Sequence, residues 1–329
     1  MIKKRIHSAV VISLAALLFM MVCITPTIAS GASGLNWTQL SPASSPPARS
    51  YPSMAFDPIS RQVVLFGGYN GSYLNDTWTF DGATWTQVKT SIAPPVRTNA
   101  SMAFDRVTLK LVLFGGYNGH VDLGDTWLWD GAKSTWTQVI ASKSPKAVTG
   151  PMLFTDPLNG RVDDFGGFDG NFYQLKTYQW TGTTWRELNP AGSAYARSIA
   201  VCATDAATKA TVMFGGLADV NPNNTWTWNG TTWTQQNPSL QPSDRYGSPG
   251  VYDPRLKRVI VFGGGQGGGD INDTWAWNGS QWAQQFPSTS PPAREGYGMA
   301  FDGAIGHIVI FGGEAGSTIF GDTWELDPE

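Results

Sequence analysis

Val63-Val64-Leu65-Phe66-Gly67-Gly68 is the stretch that decides the fold, because its ending recurs along the whole chain. Phe-Gly-Gly returns at Phe114-Gly115-Gly116, Phe165-Gly166-Gly167, Phe214-Gly215-Gly216, Phe262-Gly263-Gly264 and Phe311-Gly312-Gly313, at spacings of 48, 51, 49, 48 and 49 residues. A second marker keeps step with it. Trp37, Trp85, Trp136, Trp185, Trp233 and Trp282 each stand 30 residues before the first glycine of the next doublet. A fixed period of this length marks one supersecondary unit copied along the chain, and such units bury their apolar faces against their neighbours.

Within a unit the local signals read as four short strands. Ser53-Met54-Ala55-Phe56 leads into an Asp57-Pro58 turn, and Val63 to Phe66 is an apolar run, suited to a strand covered on both faces, that stops at the doublet. Asp76-Thr77-Trp78-Thr79-Phe80 alternates with period 2, Asp81-Gly82 supplies a tight hairpin, and Thr84-Trp85-Thr86-Gln87 returns as the fourth strand. The last unit reaches Asp322-Thr323-Trp324 and stops at Glu329, before its fourth strand, while a spare one stands at Asn36-Trp37-Thr38-Gln39. These ends predict an all-β fold: a six-bladed β-propeller closed by the N-terminal strand completing the last blade.

The first residues carry Lys3, Lys4 and Arg5, then an apolar run from Ala9 to Ile24, then small residues at Thr27, Ala29, Ser30 and Ala32. That is a secretory leader pattern, expected over residues 1–32 with cleavage near Ala29 or Ala32, leaving residues 33–329 as one propeller domain with no stable membrane span. The formal charge of -3 becomes -6 without the leader, which argues against nucleic acid as a partner. Only Cys202 remains in the mature chain, so no internal disulfide can form.

The glycine doublet after an apolar strand, the downstream tryptophan and the period near 50 resemble kelch repeats, over essentially the whole mature chain. The resemblance implies a kelch-type propeller, similar to the propeller domain of galactose oxidase and to many binding modules. Pro46-Pro47-Ala48-Arg49 looks like the family's Pro-x-x-Arg lead into the innermost strand. The histidine often found three residues later is missing, since Pro52, Ala100, Ala200, Ser248 and Tyr297 stand there. In such propellers this entering loop and the loop after the doublet open on the same face, which usually holds the site.

Two sets of candidate ligand-binding residues follow. The entering loops carry Arg49, Arg97, Arg197, Arg245 and Arg294, each 17 residues before its phenylalanine, a ring that would suit carboxylates or sugar hydroxyls. The alternative is that each pairs with an acid of its own scaffold. Blade three favours that alternative, because Val148 replaces the arginine and Lys176 replaces the aspartate found at Asp76, Asp125, Asp273 and Asp322; in blade four Arg197 stays while Asn224 replaces the aspartate. The second set lies in the loops after the doublets: Tyr69, Asn70, Tyr117, Asn118, His120, Phe168 and Asp169. Exposed aromatics beside amides suit sugar stacking or a protein partner, although Asn-Gly and Asp-Gly also serve plain turns.

Blade three breaks the pattern once more at Asp163-Asp164, where the other units are apolar. Period 2 sends the two carboxylates to opposite faces, with Lys146, Arg161 and Lys176 as candidate partners and a shifted strand or degenerate blade as the plainer explanation. The stretch Gly263-Gly264-Gly265-Gln266-Gly267-Gly268-Gly269 fits G-x-G-x-x-G, but a strand rather than a helix follows it, so it is not a phosphate loop.

No catalytic residue, cofactor or metal is assigned. The copper chemistry of galactose oxidase has no matching motif, because His120, His307 and Cys202 fall on different blades. The sequence therefore predicts a secreted binding module for a glycan or protein ligand on the loop face. The alternative is a small-sugar enzyme resembling sialic-acid mutarotases, with Asp169, Asp122 or Glu295 as acid or base, and the third reading is a structural surface protein.

Overall fold

The computed structural model describes residues 34–220 and 222–328; the expected leader lies outside the described residues. Each repeat is a four-stranded antiparallel sheet. Blade one runs outward as Ser53–Asp57, Gln62–Tyr69, Tyr73–Phe80 and Trp85–Val88, and blades two to five repeat that order. Blade six combines Gly298–Asp302, His307–Phe311 and Thr323–Pro328 with Leu35–Leu40 from the other end of the chain, paired from Asn36 opposite Asp327 to Leu40 opposite Thr323. The N-terminal strand thus completes the last blade, as the repeat arithmetic required.

In blades one and five the second strand does not stop at the doublet but continues through it, as Gln62–Tyr69 and Arg258–Gln266, across register shifts at Phe66/Gly68 and Phe262/Gly264. Gly67 and Gly68 hold positive φ values of 67° and 104°, which let the strand bulge and stay paired across a short loop.

Both sequence markers turn out to be contacts between blades. Each marker tryptophan donates its indole N–H to a threonine of the preceding blade: Trp85 to Thr323, Trp136 to Thr77, Trp185 to Thr126, Trp233 to Thr177, Trp282 to Thr225 and Trp37 to Thr274, all within 2.8–3.1 Å. Each indole also packs on the doublet phenylalanine of that preceding blade, as Trp85 does on Phe311 and Trp37 on Phe262, both at 5.2 Å between ring centroids. The core is correspondingly divided into six clusters rather than one. Burial of about 200 Å² per indole and one buried hydrogen bond at every junction hold the ring without a disulfide.

Candidate functional site

Six antiparallel bridges tie each entering loop to the loop after its own doublet: Ser50 to Tyr69, Thr98 to Tyr117, Thr149 to Phe168, Ser198 to Leu217, Tyr246 to Gly265 and Glu295 to Glu314. The two loop sets therefore do share one face. One residue further along, Tyr51, Asn99 and Ile199 adopt φ values of 44–53° and Gly150, Gly247 and Gly296 adopt 60–62°. This turn aims each N–H at the carbonyl of the preceding blade: Asn99 to Tyr51, Gly150 to Asn99, Ile199 to Gly150, Gly247 to Ile199, Gly296 to Gly247 and Tyr51 to Gly296. A closed circle of backbone hydrogen bonds surrounds the axis. It frames a cavity of about 130 Å³, and a larger one of about 540 Å³ continues down the tunnel between residues such as Phe56, Phe104, Cys202, Tyr252 and Phe301.

The five arginines are not part of that opening. Arg49, Arg97, Arg197, Arg245 and Arg294 are all buried to within 1 % of complete. Arg49 shows why: its Nε donates to Pro47 O at 3.0 Å, and Nη1 and Nη2 form a fork on Asp76 at 2.6 and 2.9 Å, with a further bond to Gly67 O. Arg97, Arg245 and Arg294 repeat the fork with Asp125, Asp273 and Asp322. Burial works to raise the pKa of Asp76, but the hydrogen bonds and charge of Arg49 outweigh it and hold the carboxyl below its ordinary value. Arg197 keeps the bonds to Tyr195 O and Gly215 O but meets Asn224 Oδ1, at 2.9 Å, in place of a carboxylate, and without an anion its burial pulls the guanidinium down to about 10. With their donors spent on the scaffold, these residues leave the ligand-binding set.

The loop residues divide more finely. Tyr69 and Tyr117 are brought together by Tyr73, which the sequence reading overlooked; its ring lies 5.1 Å from one and 5.8 Å from the other. Asn70 and Asn118 spend their side-chain oxygens on turns, accepting from Ser72 N and from His120 N and Val121 N. His120 is exposed at the tip of its loop. Phe168 packs on Tyr173 at 4.9 Å. Asp169 accepts from Phe172 N and from Lys146 Nζ at 3.0 Å, and those bonds lower its pKa. Asp122, half-buried beside it, is shifted upward by burial and by the Asp169 charge.

Two further features emerge only from the assembled face. Val121, Phe172, Leu175, Leu217 and Val220, on the post-doublet loops of blades two to four, are exposed apolar side chains. Across the axis, Glu295 meets Tyr51 in a hydrogen bond, with Tyr246, Asp270 and Glu314 nearby. Burial raises the Glu295 carboxyl to about 7 against the opposing bond from Tyr51, with Asp270 and Glu314 adding to the rise, and its Oε2 is a buried atom lacking a hydrogen-bond partner. Room for that carboxylate exists because position 265 is glycine; a Cβ there would fall 2.3 Å from Oε2.

In blade three the strand is not shifted. Asp163 stands opposite Phe154 as Val64 stands opposite Ala55, so both aspartates are true core residues. The expected partners are elsewhere: Lys146 pairs with Asp169, Lys176 with Glu187, and Nη1 of Arg161 has no hydrogen bond. Asp163 instead accepts from Gln179 at 2.9 Å and Trp228 at 3.0 Å and shares a hydrogen bond with Asp156. Burial first, then the Asp156 charge, pushes its carboxyl up to about 9. Asp164 is shifted well upward by burial, and its Oδ1 has no partner.

The glycine-rich segment 263–269 continues its strand and turns back into Gly269–Trp277, with no helix for a phosphate to meet. Among the described residues no helix is long and apolar enough to cross a membrane. No curated relative matches the chain. Residues 31–216, more than half of it, match the family described as the KLHDC2/KLHL20/DRC7 Kelch-repeats domain, and the same doublets and tryptophans continue to the last blade. The chain belongs to the Kelch-repeat family and builds that repeat into a closed six-bladed β-propeller.

Proposed function

We propose that this propeller is a secreted binding module whose partner is a protein, engaged by the loop face of blades two to four. The observation that carries the reading is the group of exposed apolar side chains there, Val121, Phe172, Leu175, Leu217 and Val220. They sit on loops fixed by bridges to a rigid scaffold, so little order has to be acquired on binding. Apolar residues displayed together on one rim mark interaction sites more often than chance exposure does. The secreted location rests on the basic and apolar leader pattern of residues 1–32.

A photo-crosslinking residue placed at Phe172 or Val220 should capture one defined protein, whereas the same residue at Ile59 or Leu158, in turns of the opposite face, should not. With that protein purified, Phe172→Ser combined with Val220→Ser should weaken binding by roughly a hundredfold and leave the folding stability within about 0.5 kcal/mol. Equal capture from both faces would remove the loop face from the proposal.

A carbohydrate ligand is the second reading, favoured by the Tyr69–Tyr73–Tyr117 cluster, whose rings could stack on a sugar. Saturation-transfer NMR with neutral and acidic sugars, repeated on a Tyr69→Ala/Tyr117→Ala variant, separates the two. The same spectra would reveal anomer exchange, which is what a catalytic role for Glu295 requires, and that role has lost the arginines that would have held a sugar carboxylate.

A further inference from the structure

Blade three keeps the backbone of the arginine socket of the other blades without its arginine, which Val148 replaces, and without its aspartate, which Lys176 replaces. In five blades the guanidinium occupies a fixed nest: Nε donates to the carbonyl two residues earlier, and Nη1 to the first carbonyl of the doublet, such as Gly67 O or Gly115 O at 3.0 Å. The equivalent carbonyls in blade three belong to Lys146 and Gly166. Gly166 keeps the left-handed backbone of its counterparts, with φ 77° against 67° at Gly67 and 73° at Gly115. Val148 fills only the position of the arginine's stem. The space beyond it is a cavity of about 310 Å³ lined by Lys146, Val148, Asp164, Gly166, Gln174 and Tyr178, among others.

What lies against this cavity is unusual. Asp164 is 1 % exposed, replaces the apolar Leu65 or Leu113 of other blades, and keeps Oδ1 without a partner. Tyr178 stands opposite it in the next strand, where Trp78 stands opposite Leu65. The two ammonium groups at the rim are already committed, Lys176 to Glu187 at 2.9 Å and Lys146 to Asp169 at 3.0 Å. The buried Asp164 side chain, with Oδ1 unpartnered, and two carbonyl positions form a set of acceptors suited to a cation with several N–H groups, whose charge would offset the cost of ionising Asp164.

We propose that this vacant socket is a binding site for a guanidinium group, supplied either by a small guanidino compound or by an arginine side chain of another chain. Two of the carbonyl positions that hold Arg49 and Arg97 are kept, Asp164 lines the cavity as the acid in place of the aspartate that Lys176 replaces, and an ammonium would satisfy fewer of these acceptors than the planar fork of a guanidinium.

Calorimetric titration of the full chain tests it with methylguanidine and with N-acetyl-arginine amide, against the citrulline and lysine analogues. Saturable binding of both guanidinium probes below about 20 mM, with the neutral citrulline analogue silent, is the expected result. Arginine amide binding about tenfold tighter than methylguanidine would assign the source to a polypeptide side chain, and equal affinities would assign it to a free guanidino compound. Val148→Arg should fill the socket from within and abolish binding, while Asp164→Asn, nearly the same shape, should weaken it at least about tenfold. Absence of saturation with either probe, or binding that survives both substitutions in folded protein, overturns the proposal.

Discussion

Replacing Asp163 with Asn should stabilise the protein at neutral pH and not at acid pH, and the size of that difference follows from its surroundings. Asp163 is fully buried between blades three and four, where burial and the adjacent Asp156 push its carboxyl from 3.8 up to about 9. The folded protein therefore keeps a proton that the unfolded chain releases as soon as the pH rises above about 4. Stability is lost as pH rises between those two values, because the unfolded state alone gains from ionisation. At pH 7 this spans about three pH units at about 1.4 kcal/mol each, a cost of about 4 kcal/mol. Asn mimics the protonated acid, donating to Asp156 while accepting from Trp228 or Gln179, and so loses one acceptor worth about 1 kcal/mol. Urea unfolding followed by tryptophan fluorescence should show the variant about 1 kcal/mol weaker at pH 4 and about 3 kcal/mol stronger at pH 7. An effect of the same sign and size at both pH values would refute the reasoning, since it would mean that Asp163 is not held protonated.

Other expectations concern the scaffold and the axis. Asp125→Ala leaves the buried Arg97 guanidinium without its anion and should cost about 3 kcal/mol, whereas Asp125→Asn recreates the Arg197–Asn224 arrangement of blade four and should cost less by the same urea assay. Trp37→Ala removes both the bond to Thr274 and the packing on Phe262 that close the ring, and a loss of about 3–5 kcal/mol in a thermal melt is expected, with a change under about 0.5 kcal/mol counting against closure by this strand. Carbon-detected NMR of Glu295 should titrate with a midpoint near 7. Tyr51→Phe removes the hydrogen bond that opposes the rise, so the midpoint should move upward; a downward move would contradict the assigned contact.

The repeat by itself determined the number of blades, their strand order and the way the ends meet, because each is a property of local spacing. A marker every 48 to 51 residues and a missing fourth strand at one end leave few other arrangements. The Arg–Asp pairing was also legible, since the charges of blade three vanish together at Val148 and Lys176. What the sequence could not reveal is which copy of a repeated residue touches which. Trp85 packs on its hairpin neighbour Phe80 and also on Phe311, at the far end of the chain, and only closure of the ring decides the second contact. The same holds for exposure. Every blade but the third carries an arginine at the spacing of Arg49, and only the blades packed around it decide that its side chain is completely buried. Tyr73 of blade one meets Tyr117 of blade two, Glu295 meets Tyr51 across the junction of the last blade with the first, and Asp163 finds Trp228 in the next blade. Each contact joins residues distant in the chain, and the physical reason is common to all three: a residue's period fixes its place within a blade, whereas its partners and its solvent are fixed by the blades packed on either side.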